Sequence, residues 1–132
     1  MSKDGINLVP CVREVSDERV ADIMVGLFEN GCYSGWLLKA SYAVQPEGEY
    51  ENPKYSDPKF WRNGGRMLLR IENPDDENEM TKEVGLSEIV SGLTVMARDY
   101  ASHFNDFVDE NDDAATADVF GQMLSYGKLI YG

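Results

Sequence analysis

The sequence predicts a small α+β domain, an antiparallel sheet of three or four strands with two to four helices packed on it. Three observations carry that expectation. A chain of 132 residues that is 42% hydrophobic fits one domain with one core, large enough to fold without disulfides or metals, so residues 1–132 read as a single unit. Apolar residues recur at two different periods, every second residue in some segments and every third or fourth in others. The order of those segments is helix, strand, long loop, β-hairpin, then two or three helices, which suits an antiparallel sheet covered by helices.

Residues 5 to 15 (Gly-Ile-Asn-Leu-Val-Pro-Cys-Val-Arg-Glu-Val) form an extended lead-in, broken at Pro10, a residue that belongs at a sheet edge or outside a sheet. Ser16 is a good N-cap. Asp17, Glu18 and Asp22 favour the positive end of a helix, and Val20, Ile23, Met24, Leu27 and Phe28 recur at helical spacing until Gly31 stops it. Trp36, Leu38, Ala40, Tyr42 and Val44 alternate as one face of a strand. Pro46, Gly48, Pro53, Pro58, Gly64 and Gly65 then mark a long loop at about 45–65, a length usually tied to function or disorder.

In Arg66-Met-Leu-Leu-Arg-Ile-Glu72, Met67, Leu69 and Ile71 share one face while Arg66, Leu68 and Arg70 share the other. Asn73 to Asn78 is a turn leading to an antiparallel partner, Glu79 to Val84. Ser87 and Glu88 open a helix with Ile89, Leu93, Met96 and Tyr100 on one stripe, ending near Asp99 to Ser102. His103 to Glu110 reads as a short helix. Asp112 or Asp113 caps a further one with Ala117, Phe120 and Leu124 on one face, ended by Gly127, and the apolar tail Lys128 to Tyr131 docks, as an edge strand if it is extended.

Composition excludes several functions. Twenty-four acids against twelve bases give a net charge of −12, and a phosphate backbone would be repelled by most of such a surface, so no direct nucleic-acid binding is expected. No apolar run approaches the ~20 residues that span a bilayer, and the start Met-Ser-Lys-Asp-Gly has no signal-peptide core. Cys11 and Cys32 have no metal-ligand or CxxC spacing and read as buried thiols, and His103 is the single histidine, so no metal centre and no cofactor are expected.

Against that acidity, Lys54-Tyr-Ser-Asp-Pro-Lys-Phe-Trp-Arg-Asn-Gly-Gly-Arg66 gathers cations and aromatics. With Arg70 it is the only basic block, and Lys59, Phe60, Trp61, Arg62, Arg66 and Arg70 are the candidate ligand-binding residues. Arginines grip phosphate or carboxylate with a forked geometry, aromatic rings stack on a base, and Gly64-Gly65 would let backbone N–H groups approach an anion. The alternative is that these cations pair with the acids of Asp75 to Glu83 across the hairpin and that Trp61 packs over the edge of the core.

Other constellations are weaker. Asp109-Glu-Asn-Asp-Asp113 opens like a calcium loop, but Ala114 replaces the turn glycine and Phe120 the closing bidentate acid, leaving a helix-capping acidic run. Asp118 and Gln122, at i and i+4, are placed to read a polar ligand or a partner's backbone, with helix-surface hydrogen bonding as the default. His103 lies near Asp99 and Asp106, yet no elbow motif places a nucleophile, and a non-enzymatic role is expected.

Two segments, Gly26-Leu-Phe-Glu-Asn-Gly31 followed by Trp36, and Asn111-Asp-Asp-Ala-Ala-Thr-Ala-Asp-Val-Phe-Gly-Gln122 running on to Ile130-Tyr-Gly132, resemble a family of small uncharacterised proteins of bacteriophages and prophages. That family shows a "FEGG" helix end before a tryptophan strand and a "D-A-x-T-A-D-V-F-x-Q" helix before a terminal "Y-G"; here Asn30 replaces the first glycine, Ala115 stands at the usual acid and Lys128 where an acid is common. The resemblance covers roughly half the chain. It implies a phage accessory protein in the host-cell cytoplasm, acting on host defence by stoichiometric binding. The leading expectation is sequestration of an anionic, nucleotide-type small molecule. The alternative is an acidic mimic of nucleic acid that blocks a host defence protein, in the manner of anti-CRISPR or anti-restriction proteins; a homo-oligomer is a further possibility.

Overall fold

The computed structural model describes residues 14–29, 35–46 and 53–131. The lead-in up to residue 13, both cysteines, the stop at Gly31 and the middle of the long loop lie outside them. Among the described residues the fold has five helices and three strands, in the order α1 (Asp17–Glu29), β1 (Leu37–Val44), α2 (Pro58–Arg62), β2 (Arg66–Glu72), β3 (Glu79–Val84), α3 (Leu86–Asp99), α4 (Ala101–Val108) and α5 (Ala114–Tyr126). It is an α+β fold.

Local chemistry sets most of these boundaries. Ser16 Oγ accepts from the Arg19 N–H at 3.2 Å and Asp113 Oδ1 from the Thr116 N–H at 3.0 Å, so both anticipated N-caps satisfy an orphan donor of the first turn. At α3 the cap is Gly85 rather than Ser87, and Glu88 reaches back to the Gly85 N–H at 2.8 Å. Gly127 closes α5 in the left-handed region at φ 74°, where a side chain would be strained.

The sheet is antiparallel in the order β1-β2-β3. Met67, Leu69 and Ile71 of β2 face the core, while Leu68 and Arg70 are exposed on the opposite face. In β1 the expected alternation fails. Register shifts between Leu37 and Lys39 and between Tyr42 and Val44 each insert a residue without a partner, which flips the side chains that follow. Trp36 is therefore buried while Leu38 and Val44 lie on the surface.

The largest departure concerns α5. Every residue from Thr116 to Ser125 is buried, so α5 is the central helix and not an amphipathic one lying on the surface. It packs on α1, α3 and α4. Gly121 makes the approach to α1 and Trp36 possible, because a Cβ there would stand 2.5 Å from Leu27 Cδ1 and 2.8 Å from Trp36 Cζ2. Arg19 ties α1 to the α4–α5 junction: its guanidinium donates to the Phe107 carbonyl at 2.6 Å and to Asp112 at 2.8 Å, and lies 4.5 Å from the centre of the Phe107 ring. The acidic run at 109–113 thus caps α5 through Asp113 and anchors α1 through Asp112.

Candidate functional site

The basic and aromatic segment is folded by its own sequence into a tight corner. Asp57 Oδ1 accepts from the Lys59 N–H at 2.9 Å and Pro58 takes the first helical position, so the one-turn helix α2 forms inside what the proline and glycine content marks as loop. Gly64 turns the chain at φ 93°, and the Gly65 N–H donates to the Phe60 carbonyl at 2.7 Å. A Cβ on Gly65 would sit 2.5 Å from that oxygen and 2.7 Å from the Phe60 ring. The two glycines therefore make room for Phe60, and the Gly65 N–H is already engaged.

Phe60 and Trp61 are core residues, at 0% and 1% exposure. Their rings meet edge to face at 4.8 Å, and Trp61 Nε1 donates to the Tyr55 carbonyl at 2.8 Å. The expectation that they stack on a ligand fails, because no ring face is open to solvent. Tyr55 itself packs edge-on to Phe28 at 5.0 Å and donates its hydroxyl to Glu29 at 2.8 Å.

The cations of the segment point outward, in different directions. Arg62 forks onto Asp17 of α1 at 2.7 and 3.0 Å, and that hydrogen bond holds the Asp17 carboxyl below its usual range. Arg66 binds Glu83 across the hairpin and Glu88 of α3 at 3.1 Å, and the Glu83 hydrogen bond leads in raising the guanidinium pKa. Arg70 pairs with Glu79 at 2.9 Å. Lys59 is exposed on α2. Arg66 and Arg70 do share the outer sheet face, with Lys39 in register beside Arg70, but the hairpin acids engage both arginines as the alternative reading of the sequence anticipated.

The polar residues Asp118 and Gln122 are buried rather than on a helix surface. Asp118 accepts from Trp36 Nε1 at 2.8 Å and from Gln122 Nε2 at 2.9 Å. The Gln122 amide also donates to the Tyr131 carbonyl and accepts from the Ile130 and Tyr131 N–H groups, each at 2.8 Å. Neither reads a partner backbone or a ligand: Gln122 binds the backbone of the chain's own tail, which docks without forming a strand, and Asp118 is bound by the side chains of Trp36 and Gln122. Trp36, Asp118, Gln122 and the Tyr131 backbone meet in this interior. His103 Nδ1 lies 3.0 Å from Thr116 Oγ1 at the start of α5.

Among the described residues no three His, Cys, Asp or Glu side chains converge on a metal-sized site, and no helix is long and apolar enough to cross a membrane. A cleft of about 420 Å³ lies between β3, α3 and the end of α5, lined by Lys82, Ser87, Ser91 and Ser125 among others. The sequence reading passed over Lys82. Its signal was parity: it shares a strand face with Met80 and Val84, so a cation occupies an inward position. Comparison with family models, with curated proteins and with solved structures finds no match to this chain.

Proposed function

We propose that the protein is a non-enzymatic binding protein that engages a basic surface on a partner protein, and that in the setting implied by the phage-protein resemblance the partner belongs to host defence. One observation carries this reading. Each arginine among the described residues, at 19, 62, 66, 70 and 98, is already paired with a carboxylate, so acids outnumber the lysines in the charge that remains at the surface. Asp75, Asp76 and Glu77 on the β2–β3 turn, and Asp106, Asp109 and Glu110 at the end of α4, are exposed and have no ion-pair partner among the described residues. Exposed like charge of this kind steers association with a basic groove and rejects nucleic acid.

Anion sequestration on the outer sheet face is the second reading, favoured by Lys39, Arg66 and Arg70 lying on one open face. It requires a ligand to displace Glu83 and Glu79, and it proceeds without aromatic stacking. The test is capture of partners from infected-cell lysate by wild type and by two neutralised proteins, D75N/D76N/E77Q and D106N/D109N/E110Q. A partner released by rising salt and lost from one of the neutralised proteins supports the acidic surface. Capture indifferent to both salt and neutralisation sinks it, and loss confined to R66A/R70A moves the site to the sheet face.

A further inference from the structure

The outer face of the sheet differs in charge from the chain as a whole. In register it carries Lys39 on β1, Arg66, Arg70 and Glu72 on β2, and Glu79 and Glu83 on β3. Three cations meet three acids there, a net charge of zero on a chain whose total is −12. The signs are also segregated, with the cations toward β1 and the acids toward the β3 edge. Leu68 at the centre is 37% exposed and Val44, beside Arg66, is 43% exposed, so apolar surface lies between the charges.

This pattern selects an occupant. A partner of one sign would call for a face of the other sign, and a wholly apolar partner would strand six charges. A face with equal and segregated charges is complementary to itself once turned about a two-fold axis along the strands, which lays the cationic side of one copy on the acidic side of the other. Averaged over the remaining surface, the acidic excess opposes the approach of a second copy.

Independently of the acidic surface invoked above, we propose that this face binds a second copy of the chain, sheet on sheet about a two-fold axis running along β2, with Leu68 of the two copies meeting near the axis. Arg70 has Lys39 beside it on one side and Thr81 on the other, so the rotation sets Lys39 of each copy over Thr81 of the second and next to Glu79. Arg66 and Arg70 enter already neutralised by Glu83 and Glu79, whereas Lys39 makes no ion pair among the described residues and is the cation left for the second copy. Seven residues of β2 at ~3.3 Å each, across three strands ~4.8 Å apart, cover roughly 650 Å² over the two faces. That is below the roughly 1,000 Å² of stable assemblies, so the dimer is a reversible one.

The experiment is sedimentation equilibrium of the full chain from about 20 µM to about 1 mM at physiological ionic strength, where the Debye length is about 8 Å. The expected result is a monomer–dimer equilibrium within that range. Leu68→Glu, at an exposed position, should raise the dissociation constant at least tenfold. Lys39→Glu and Glu79→Lys should each weaken self-association severalfold, and an equimolar mixture of the two proteins should recover it, because each substituted position then meets the opposite sign. Circular dichroism checks that each variant is folded, and the mixing test stands on its own if Leu68→Glu is not. A chain that stays monomeric at the highest concentration, a dimer left intact by folded Leu68→Glu, as one joined through the β1 edge would be, or a mixture without recovery would each overturn the proposal.

Discussion

Two polar constellations of similar size hold this fold in different ways. On the outer sheet face, Arg66 and Arg70 pair with Glu83 and Glu79, at side-chain exposures of 32 to 50%. Inside, Asp118 and Gln122 bind Trp36 and the 130–131 backbone with almost no water contact. Solvent screens the first set and stands ready to replace any partner removed. Nothing replaces a lost partner in the second, where each orphaned donor or acceptor keeps its full desolvation cost. The interior set therefore determines stability, although both look alike as lists of hydrogen bonds.

The comparison breaks most visibly at Gln122. Gln122→Ala leaves the part-buried Ile130 and Tyr131 N–H groups and the Tyr131 carbonyl without their side-chain partner and takes one donor from Asp118; at ~1–3 kcal/mol for each group so affected, a loss of roughly 3–5 kcal/mol is expected in urea unfolding. A loss below about 1 kcal/mol would put the network on a par with the surface pairs. Gly121→Ala probes the packing around the same network. Its Cβ would meet Leu27 Cδ1 at 2.5 Å and Trp36 Cζ2 at 2.8 Å, and overpacking of about 1–3 kcal/mol should follow, with a changed Trp36 fluorescence.

A double-mutant cycle on Arg70 and Glu79 sharpens the other side: coupling of at most about 1 kcal/mol, vanishing as salt is raised. Coupling several times larger would show the sheet face to be as dependent on its pairs as the interior is. The smallest effect is a pH dependence at Glu88. Burial pushes its pKa up, but the Gly85 N–H, the Ser87 hydroxyl and Arg66 together outweigh that and hold it below the usual glutamate range. Its contribution is complete above that range and is lost as pH falls through its folded value. Glu88→Gln should flatten the acid limb of a stability–pH curve, and an unchanged limb would refute this.

The same contrast explains what the sequence made legible. The β2–β3 hairpin follows its predicted bounds at both strands, because period-two alternation and the Asn73–Asn78 turn are local properties. The α1 cap at Ser16 was equally local. Phe60 and Trp61 misled, since a five-residue helix between prolines and glycines has no period from which burial can be read. Arg66 and Arg70 share a strand face as period two indicates, yet their engagement by acids follows from hairpin register, which brings Arg70 beside Thr81 and Leu68 beside Glu83. Burial around the whole of α5 was hidden for a different reason. Asp118 and Gln122 read as helix-surface residues, and their bonds to Trp36, to each other and to the 130–131 backbone are what allow them to be inside.

The central position of α5 also bears on how the chain comes to fold. Trp36 finds its hydrogen-bond acceptor 82 residues later, and α5 is the last helix of those described. During synthesis the β2–β3 hairpin and α3 can form from neighbouring residues, but the apolar faces of α1 and the sheet wait for a helix not yet made. Closure of so distant a contact slows folding relative to a local one. A chain arrested before α5 emerges would expose Leu27 and Trp36 together, a surface suited to chaperones and prone to aggregation.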